Sequence, residues 1–417
     1  MSGLEHLNSL SQFVQSCPSS YHAADTIART LRQAGFERLS ETEVWAPGAQ
    51  QFIIRGGAVV AWRTPQRVER RTGVRIVGTH NDSPGLKVKP RPSFSSEGWA
   101  QIGVEVYGGA LWNSWLDRDL GVAGRIALAD GTMSLVRTGA VARVPQLAIH
   151  LDRQQNESLR LDPQLHLQPV SGVGEVNLLE ELAAQTGASA DQVVGHDLFL
   201  YPTEPPGTLG FRDELFASSR LDNLSSTHAA LSAFLRVDNE DDVVVFVSFD
   251  HEEIGSATAS GAAGPLLADV LSRLATAHGI TGSGFTELLA RSSCVSADAG
   301  HLVHPNYPGK HDPHHHPVPN GGPLLKINAN QRYTTDAVGA ALWYRACDEA
   351  GVATQPFVSN NAVPCGSTIG PITATRLGIV TVDVGIGLLS MHSTRELCGS
   401  EDPYYLTKAL TAYWSGA

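Results

Sequence analysis

The sequence predicts an α/β fold in which a mixed sheet is sandwiched by helices and interrupted by a β-rich insertion. Three observations lead there. Short, strongly apolar runs alternate with segments of helical periodicity toward both ends of the chain, the pattern of strands and helices taking turns across one sheet. Between about residues 90 and 213 the texture changes to short alternating runs punctuated by Gly and Pro. A chain of 417 residues also exceeds the roughly 250–300 at which one hydrophobic core stops growing. The predicted division is a discontinuous unit of residues 1–89 and 214–417, with residues 90–213 inserted as a second unit.

In chain order, apolar residues recur at helical spacing over residues 5–14 and 21–36, where Ala24, Ile27, Ala28 and Leu31 stand at i, i+3, i+4 and i+7 and Gly35 supplies a stop. Residues 51–55 and 58–62 flank Gly56-Gly57, a hairpin signature, and residues 74–79 (VRIVGT) read as a buried strand. Inside the insertion, QIGVEVYGG, GRIALADGTMSLVR and QLHLQPV read as strands and residues 178–186 as a helix. Beyond it, residues 221–236, 264–277 and 335–350 read as helices, and 242–250, 294–298 and 379–385 as strands. The tract KHDPHHHPVPN, residues 310–320, reads as a solvated loop, since adjacent His and Pro residues form no closed ligand set on a rigid element.

Composition narrows the function. With 30 Lys+Arg against 42 Asp+Glu the net charge is −12, and no basic run relieves it, so a nucleic-acid backbone would be repelled. No segment approaches the roughly 18 uninterrupted apolar residues of a membrane helix; the longest strong run, 243–249, is closed by Asp242 and Asp250. The first residues lack a basic and then apolar leader pattern, and five scattered cysteines make no CxxC pair or disulfide framework, which fits a reducing cytoplasm.

In open α/β sheets ligands gather outside the carboxyl ends of strands, so polar residues that follow apolar runs are the candidates. Five places qualify: Thr79-His80-Asn81-Asp82, Ser219-Arg220-Leu221-Asp222-Asn223, Phe249-Asp250-His251-Glu252-Glu253, Ser296-Ala297-Asp298 and Ser390-Met391-His392-Ser393. Alone, each has an ordinary reading as a hydrogen-bonded structural histidine or a turn aspartate. Glu252-Glu253 resists it, because two carboxylates directly after VVVFVSFD need a nearby cation to offset their desolvation. Together the set has the composition of a dinuclear zinc site: two imidazoles and three carboxylates as ligands, and a further carboxylate free for acid–base work. Two cations roughly 3.5–4 Å apart need a shared carboxylate and a shared water between them, and five ligands with one bridging satisfy that. Glu252 and Glu253 can split the tasks of ligand and base, and Asp82 can accept the second ring N–H of His80. Mixed N/O ligands discriminate weakly, so Mn2+ or Co2+ can substitute for Zn2+.

These blocks also carry a family resemblance. SQFVQSCPSSYHAA, THNDSPGLKVKP, SSRLDN, FDHEEIGS, SADAGHLVHPNY, KINANQRY, PCGSTIGP and SMHSTRE stand in the order found in the aspartyl aminopeptidase family of dinuclear zinc exopeptidases, which the chain resembles over almost its whole length. The resemblance implies a zinc-exopeptidase-like catalytic unit, with His80 and Asp298 on one zinc, Glu253 and His392 on the other, and Asp222 as the bridge. It makes Glu252 the general base and Asp82 the partner of His80. WNSWLDRDLGVAGR and VARVPQLAIHLDR resemble the family's dimerisation domain, which implies a homo-oligomer, specifically a tetrahedral dodecamer in which His150 reaches a neighbouring subunit's site. Read from its own residues, LAIHL is instead a short strand with His150 facing inward. Lys326, His301 and Tyr333 are implied as substrate-binding residues, Lys326 pairing with the side-chain carboxylate of an N-terminal Asp or Glu. One departure stands out: relatives carry Asp where this chain has Ala362, which bears on how strictly acidic residues are preferred.

The expected activity is therefore removal of N-terminal, preferentially acidic, residues from peptides, with Glu252 activating the water that attacks the scissile carbonyl. The alternatives are an aminopeptidase of broader or neutral specificity, a related dinuclear zinc deacylase or carboxypeptidase, and a metal-bearing scaffold, which the intact Glu252 opposes.

Overall fold

The computed structural model describes residues 2–69, 71–237 and 239–417. Its main element is a nine-stranded sheet in the order Glu37–Arg38, Gln50–Arg55, Ala58–Arg63, Val243–Phe249, Val74–His80, Ser293–Ala297, Val380–Gly385, Leu324–Ile327 and Gln355–Val358. The four central strands run parallel, while the hairpin of Gln50–Arg55 and Ala58–Arg63 and the strand Leu324–Ile327 join antiparallel, so the sheet is mixed as predicted.

Both faces are covered, and the sequence shows why. Every residue of Val243–Phe249 is buried, the all-apolar signature of a strand enclosed on two sides. Val244 and Phe246 enter one core with the helices Gly3–Ser16, Ser20–Gln33, Leu221–Phe234, Ala337–Ala350 and Asp402–Trp414. Val243, Val245, Val247 and Phe249 enter the other, with Leu266–Ala277 and Ser283–Ala290. Period-two alternation thus splits one strand between two helical layers.

A separate six-stranded sheet follows the order Met133–Arg137, Leu120–Leu128, Val193–Pro202, Gly85–Ser96, Trp99–Tyr107 and Val170–Val173, with its own core including Leu86, Ile102, Trp115, Val122 and Leu198. Its first strand begins at Gly85, five residues after His80, so this sheet grows directly out of a candidate site loop. The hairpin Gly207–Leu209 and Leu215–Ser218 pairs instead with Glu396–Gly399, setting Ser218 opposite Glu396. The helix expected at residues 178–186 spans Leu178–Ala184. LAIHL is not a strand: His150 lies exposed in a turn, because Pro145 and the polar DRQQN stretch leave this segment without a ladder partner. The tract 310–320 is a loop in which His311 accepts from the His304 N–H (2.9 Å) and His315 pairs with Asp312 (2.7 Å). No helix of the described residues is long and apolar enough to cross a membrane.

One pair of core residues sets a pH response. His6 of the first helix and His228 of Leu221–Phe234 are buried with ring centroids 4.6 Å apart. Burial, helped by Arg236, pushes His6 down to about 4, and burial next to His6 pushes His228 well below its ordinary value. Both stay neutral in the fold and charge in the unfolded chain, so their contribution is intact above the unfolded value of 6.5 and is lost as pH falls below it, for His6 down to about 4. His6 costs about 1.4 kcal/mol per pH unit across that window, and His228 adds in the same direction. Thermal midpoints measured downward from pH 8 should fall less steeply for His6→Leu than for the wild type; equal slopes would remove this account.

Candidate metal centre

Three parallel strands finish at one edge of the large sheet. Val74–His80 ends on His80, Ser293–Ala297 is followed by Asp298, and Val243–Phe249 leads through Asp250 and a left-handed His251 into the tight turn Glu252–Ile254. The register pairs Phe249 with His80, so the Glu-Glu turn emerges beside the histidine. Asp222 arrives on the first turn of Leu221–Phe234, and His392 on the loop before Glu396–Gly399. Pairing of Leu215–Ser218 with Glu396–Gly399 holds these last two carriers together.

The side chains converge as the five separate blocks predict. His80 Nε2 lies 3.3 Å from Asp298 Oδ1, 3.4 Å from Asp222 Oδ1 and 3.9 Å from Glu252 Oε2. His392 Nε2 lies 3.2 Å from Asp222 Oδ2 and 3.5 Å from Glu253 Oε2. Asp222 therefore faces one imidazole with each oxygen. Ligand-type atoms gather within 4.8 Å of one another in three overlapping groups, His80–Asp222–Asp298, His80–Glu252–Glu253 and Asp222–Glu253–His392. None of these groups includes the histidines of the 310–320 loop.

The donor set fits divalent metal. Asp222 Oδ1 and Glu253 Oε1 are buried without any hydrogen-bond partner, an arrangement that is costly unless a cation satisfies them. Burial pushes Glu252 up to about 8, with Asp298 and Asp222 adding to it against the pull of His80, and pushes Glu253 well above the carboxylate range. Against the opposing effect of burial, hydrogen bonding to Asp222 lifts His392 to about 8. Crowded carboxylates that retain protons, beside imidazoles that attract them, are what remains when positive charge is missing from such a site.

Two supporting residues escaped the sequence reading. Glu396, 1% exposed, accepts the backbone N–H of Asp222 (2.9 Å) and of His392 (2.7 Å), tying together the two loops on either side of the second cluster. Its signal was present as the glutamate four residues after His392 in SMHSTRE. Tyr107 donates to Asp82 Oδ2 (2.8 Å), and only a strand-end aromatic in QIGVEVYGG marked it. Asp82 itself does more than face His80 Nδ1 (3.4 Å): its carboxylate accepts the N–H groups of Glu252 (3.0 Å) and Glu253 (3.1 Å) and so fixes the Glu-Glu turn.

Of the implied substrate residues, Lys326 is 1% exposed, with Nζ 3.4 Å from Asp298 Oδ2 and 3.0 Å from the Ala299 carbonyl. It does not snorkel to solvent, since a sheet neighbour lies on each side of its strand. The ammonium sits 5.1 Å from the Tyr333 ring centroid, and Phe357 lies 6.2 Å from both Tyr333 and His301, so the four side chains form one wall beside Asp298. Ala362 is exposed on a neighbouring loop, its N–H held by Asn360 (2.8 Å). His150 is not brought to this cluster; among the described residues no contact joins it to the site of its own chain.

A helix-covered mixed sheet whose strand ends gather imidazoles and carboxylates around orphaned oxygens belongs to the class of α/β metallohydrolases. Comparison with known proteins specifies which. The family model of the M18 aminopeptidase I zinc metalloproteases matches residues 13–414. A probable M18 family aminopeptidase 2 of Streptomyces avermitilis is 48% identical over 422 residues, covering 99% of this chain and 98% of that protein. One from Pseudomonas aeruginosa is 41% identical over 423 residues, covering 98% and 97%. Among solved structures, Ape4 in its complex with Nbr1 superposes with a TM-score of 0.95 at 35% identity, covering 99% of this chain and 86% of Ape4. The S. cerevisiae mApe1 dodecamer superposes at 0.87 and 29% identity, covering 98% and 96%. The chain belongs to the M18 peptidase family, and it is a zinc metallo-aminopeptidase.

Proposed function

We propose that this aminopeptidase holds two zinc ions and removes N-terminal residues, preferring Asp or Glu. The observation that carries the dinuclear reading is Asp222, whose two oxygens face two separate imidazole–carboxylate groups. His80 and Asp298 would hold one ion, His392 and Glu253 the other, and Asp222 both. Zinc bound there would supply Lewis-acid polarisation of the scissile carbonyl and lower the proton affinity of a nucleophilic water. Glu252 is left to accept the proton of the attacking water and return it to the departing amine. Asp82 positions that base through its N–H, and Glu396 positions the Asp222 and His392 loops. Mn2+ or Co2+ would substitute, as the N/O donor set discriminates weakly.

Acidic preference is supported by the buried Lys326 ammonium, the positive group in the wall formed with Tyr333, Phe357 and His301. A panel of chromogenic aminoacyl substrates should rank Asp and Glu first, and Leu or Ala in the lead would overturn the preference while leaving the peptidase standing. Lys326→Met keeps the stem and removes the charge. Its kcat/KM for acidic substrates should fall by about 2–3 kcal/mol more than for neutral ones, the cost of a charged group losing its partner.

The dodecamer seen for mApe1 supports the same assembly here, built through the inserted unit 90–213, with His150 completing a neighbouring subunit's site. His150 is exposed on a segment where Leu147, Leu151 and Leu165 are also exposed, 52%, 74% and 72%, which suits burial between subunits. Light scattering should report the large closed particle, and a monodisperse active monomer would refute both the assembly and this role of His150. The five cysteines are free and four are buried, which suits a cytoplasmic setting; alkylation of the denatured protein, isolated from cells under thiol trapping, should label all five.

A further inference from the structure

The loop that carries His392 holds a costly backbone shape. Ser390 and His392 are both left-handed (φ 57° and 67°), a conformation that residues with a Cβ avoid unless neighbours impose it. Glu396 accepts the His392 N–H, and a turn of the inserted unit takes two more of its polar groups. The Leu111 N–H donates to the His392 carbonyl (3.0 Å), and the Gly109 carbonyl lies 3.1 Å from His392 Nδ1. Two residues on, Thr394 donates its N–H to Ser114 Oγ (3.0 Å) and its hydroxyl to the Ser114 carbonyl (2.7 Å). The same turn begins at Tyr107, which donates to Asp82, and its Gly108 (φ 65°) passes so close to the Glu-Glu turn that a Cβ there would stand 3.0 Å from the Glu253 carbonyl oxygen. Beyond Ser114 the chain is fixed in the insertion's own core by Trp115 and Leu116, and the Asp117 N–H donates to Val144 (2.8 Å).

We infer, resting on the dinuclear reading, that residues 107–114 of the inserted unit belong to the metal centre as a positioning strap for His392, latched to its loop by Ser114 and Thr394. A carbonyl only accepts, so Nδ1 carries the proton of the neutral ring. Nε2, 3.2 Å from Asp222 Oδ2 and 3.5 Å from Glu253 Oε2, then keeps the lone pair that a cation requires. Burial alone does not make that choice, because the imidazole is 29% exposed and a turned ring would meet water. His80 is placed differently: it is 1% exposed, and its Nδ1 faces the carbonyl of Asp82 two residues along its own chain (3.1 Å). Of the two candidate ions, the one at His392 therefore depends on the latch and the one at His80 does not. The insertion thus supports the chemistry within its own subunit, apart from any part in assembly.

The test is Thr394→Val in the full-length, zinc-loaded enzyme, a change that keeps the branched shape and removes the hydroxyl held by Ser114. Competition with a chelator, followed by elemental analysis, should show one ion lost at about tenfold lower chelator concentration than in the wild type, the usual scale for an outer contact of a metal-binding histidine, with the other ion retained as before. In cobalt-loaded protein the visible bands that His392→Ala removes should shift in Thr394→Val, a change that general loosening of the fold would not confine to one site. Two ions retained as in the wild type, or both lost equally easily, would overturn the strap. A wild type that saturates at one equivalent would instead overturn the dinuclear reading and this inference with it. Should Thr394→Val fail to fold, Ser114→Ala, which removes the acceptor of the Thr394 N–H from a half-buried turn, decides by the same two measurements.

Discussion

Glu252→Gln is expected to retain both metal ions and to lose about 10²–10⁴ in kcat, the usual contribution of a positioned general base. The expectation follows from where the carboxylate stands. Glu252 Oε2 is the most distant of the carboxylate atoms facing His80 Nε2, at 3.9 Å, whereas Asp298 and Asp222 lie at 3.3 and 3.4 Å. Glu253, by contrast, lies 3.5 Å from His392 and has a buried oxygen with no other partner. Glutamine matches glutamate in shape, so the turn held by Asp82 through backbone N–H groups should survive the exchange. KM should change little, because the lost interaction belongs to proton transfer rather than ground-state binding. Elemental analysis separates the alternatives: loss of an ion in Glu252→Gln, with Glu253→Gln keeping both, would reverse the two roles.

Much of the architecture was legible because the burial pattern and the chemistry coincide. VVVFVSF could only be a doubly covered strand, and carboxylates placed directly after it had to meet positive charge. The convergence of His80, Asp222, Glu253, Asp298 and His392 was expected before any geometry was known. Other elements left weaker traces. Asp402–Trp414 buries Asp402, Pro403, Thr407 and Ala412 along with Leu406, Leu410, Tyr413 and Trp414, so its apolar stripe is blurred by residues enclosed on several sides. Ile369–Leu377 carries Gly370 and Pro371 in its first turn, residues that read as a loop although a proline there forfeits no helical bond.

The supporting contacts were illegible for a different reason. Glu396 acts by accepting backbone N–H groups 174 and four residues away, and Tyr107 by donating to Asp82 25 residues back. Neither pairing has a spacing rule, because it depends on how separate strands and loops meet. Residue type signals a metal ligand; only the fold reveals what holds the ligand in place.

Removal of metal should abolish peptide hydrolysis and lower the thermal midpoint by several degrees, with both restored as two equivalents of zinc are added back. The charge balance supports that stoichiometry. With neutral imidazoles, the carboxylates Asp222, Glu252, Glu253 and Asp298 sum to −4, which two divalent ions cancel (+4 − 4 = 0) and one leaves at −2. Without metal the cluster resolves its repulsion by keeping protons, as the upward shifts of Glu252 and Glu253 indicate. Zinc binding must displace the proton held by the ligand Glu253, so apparent affinity should weaken as pH falls, the direction expected when metal and proton compete for one carboxylate. At one hundred times its dissociation constant each ion contributes about 2.7 kcal/mol to the folded state, so loss of both withdraws a substantial part of a domain's net stability. Metal should leave in two steps if the clusters differ in affinity, and Asp222→Asn, which removes the charge shared by the two oxygens that face the two imidazoles, should impair retention of both ions rather than one. Titration saturating at a single equivalent with full activity would overturn the dinuclear assignment, and full activity with no metal present would overturn metal catalysis altogether.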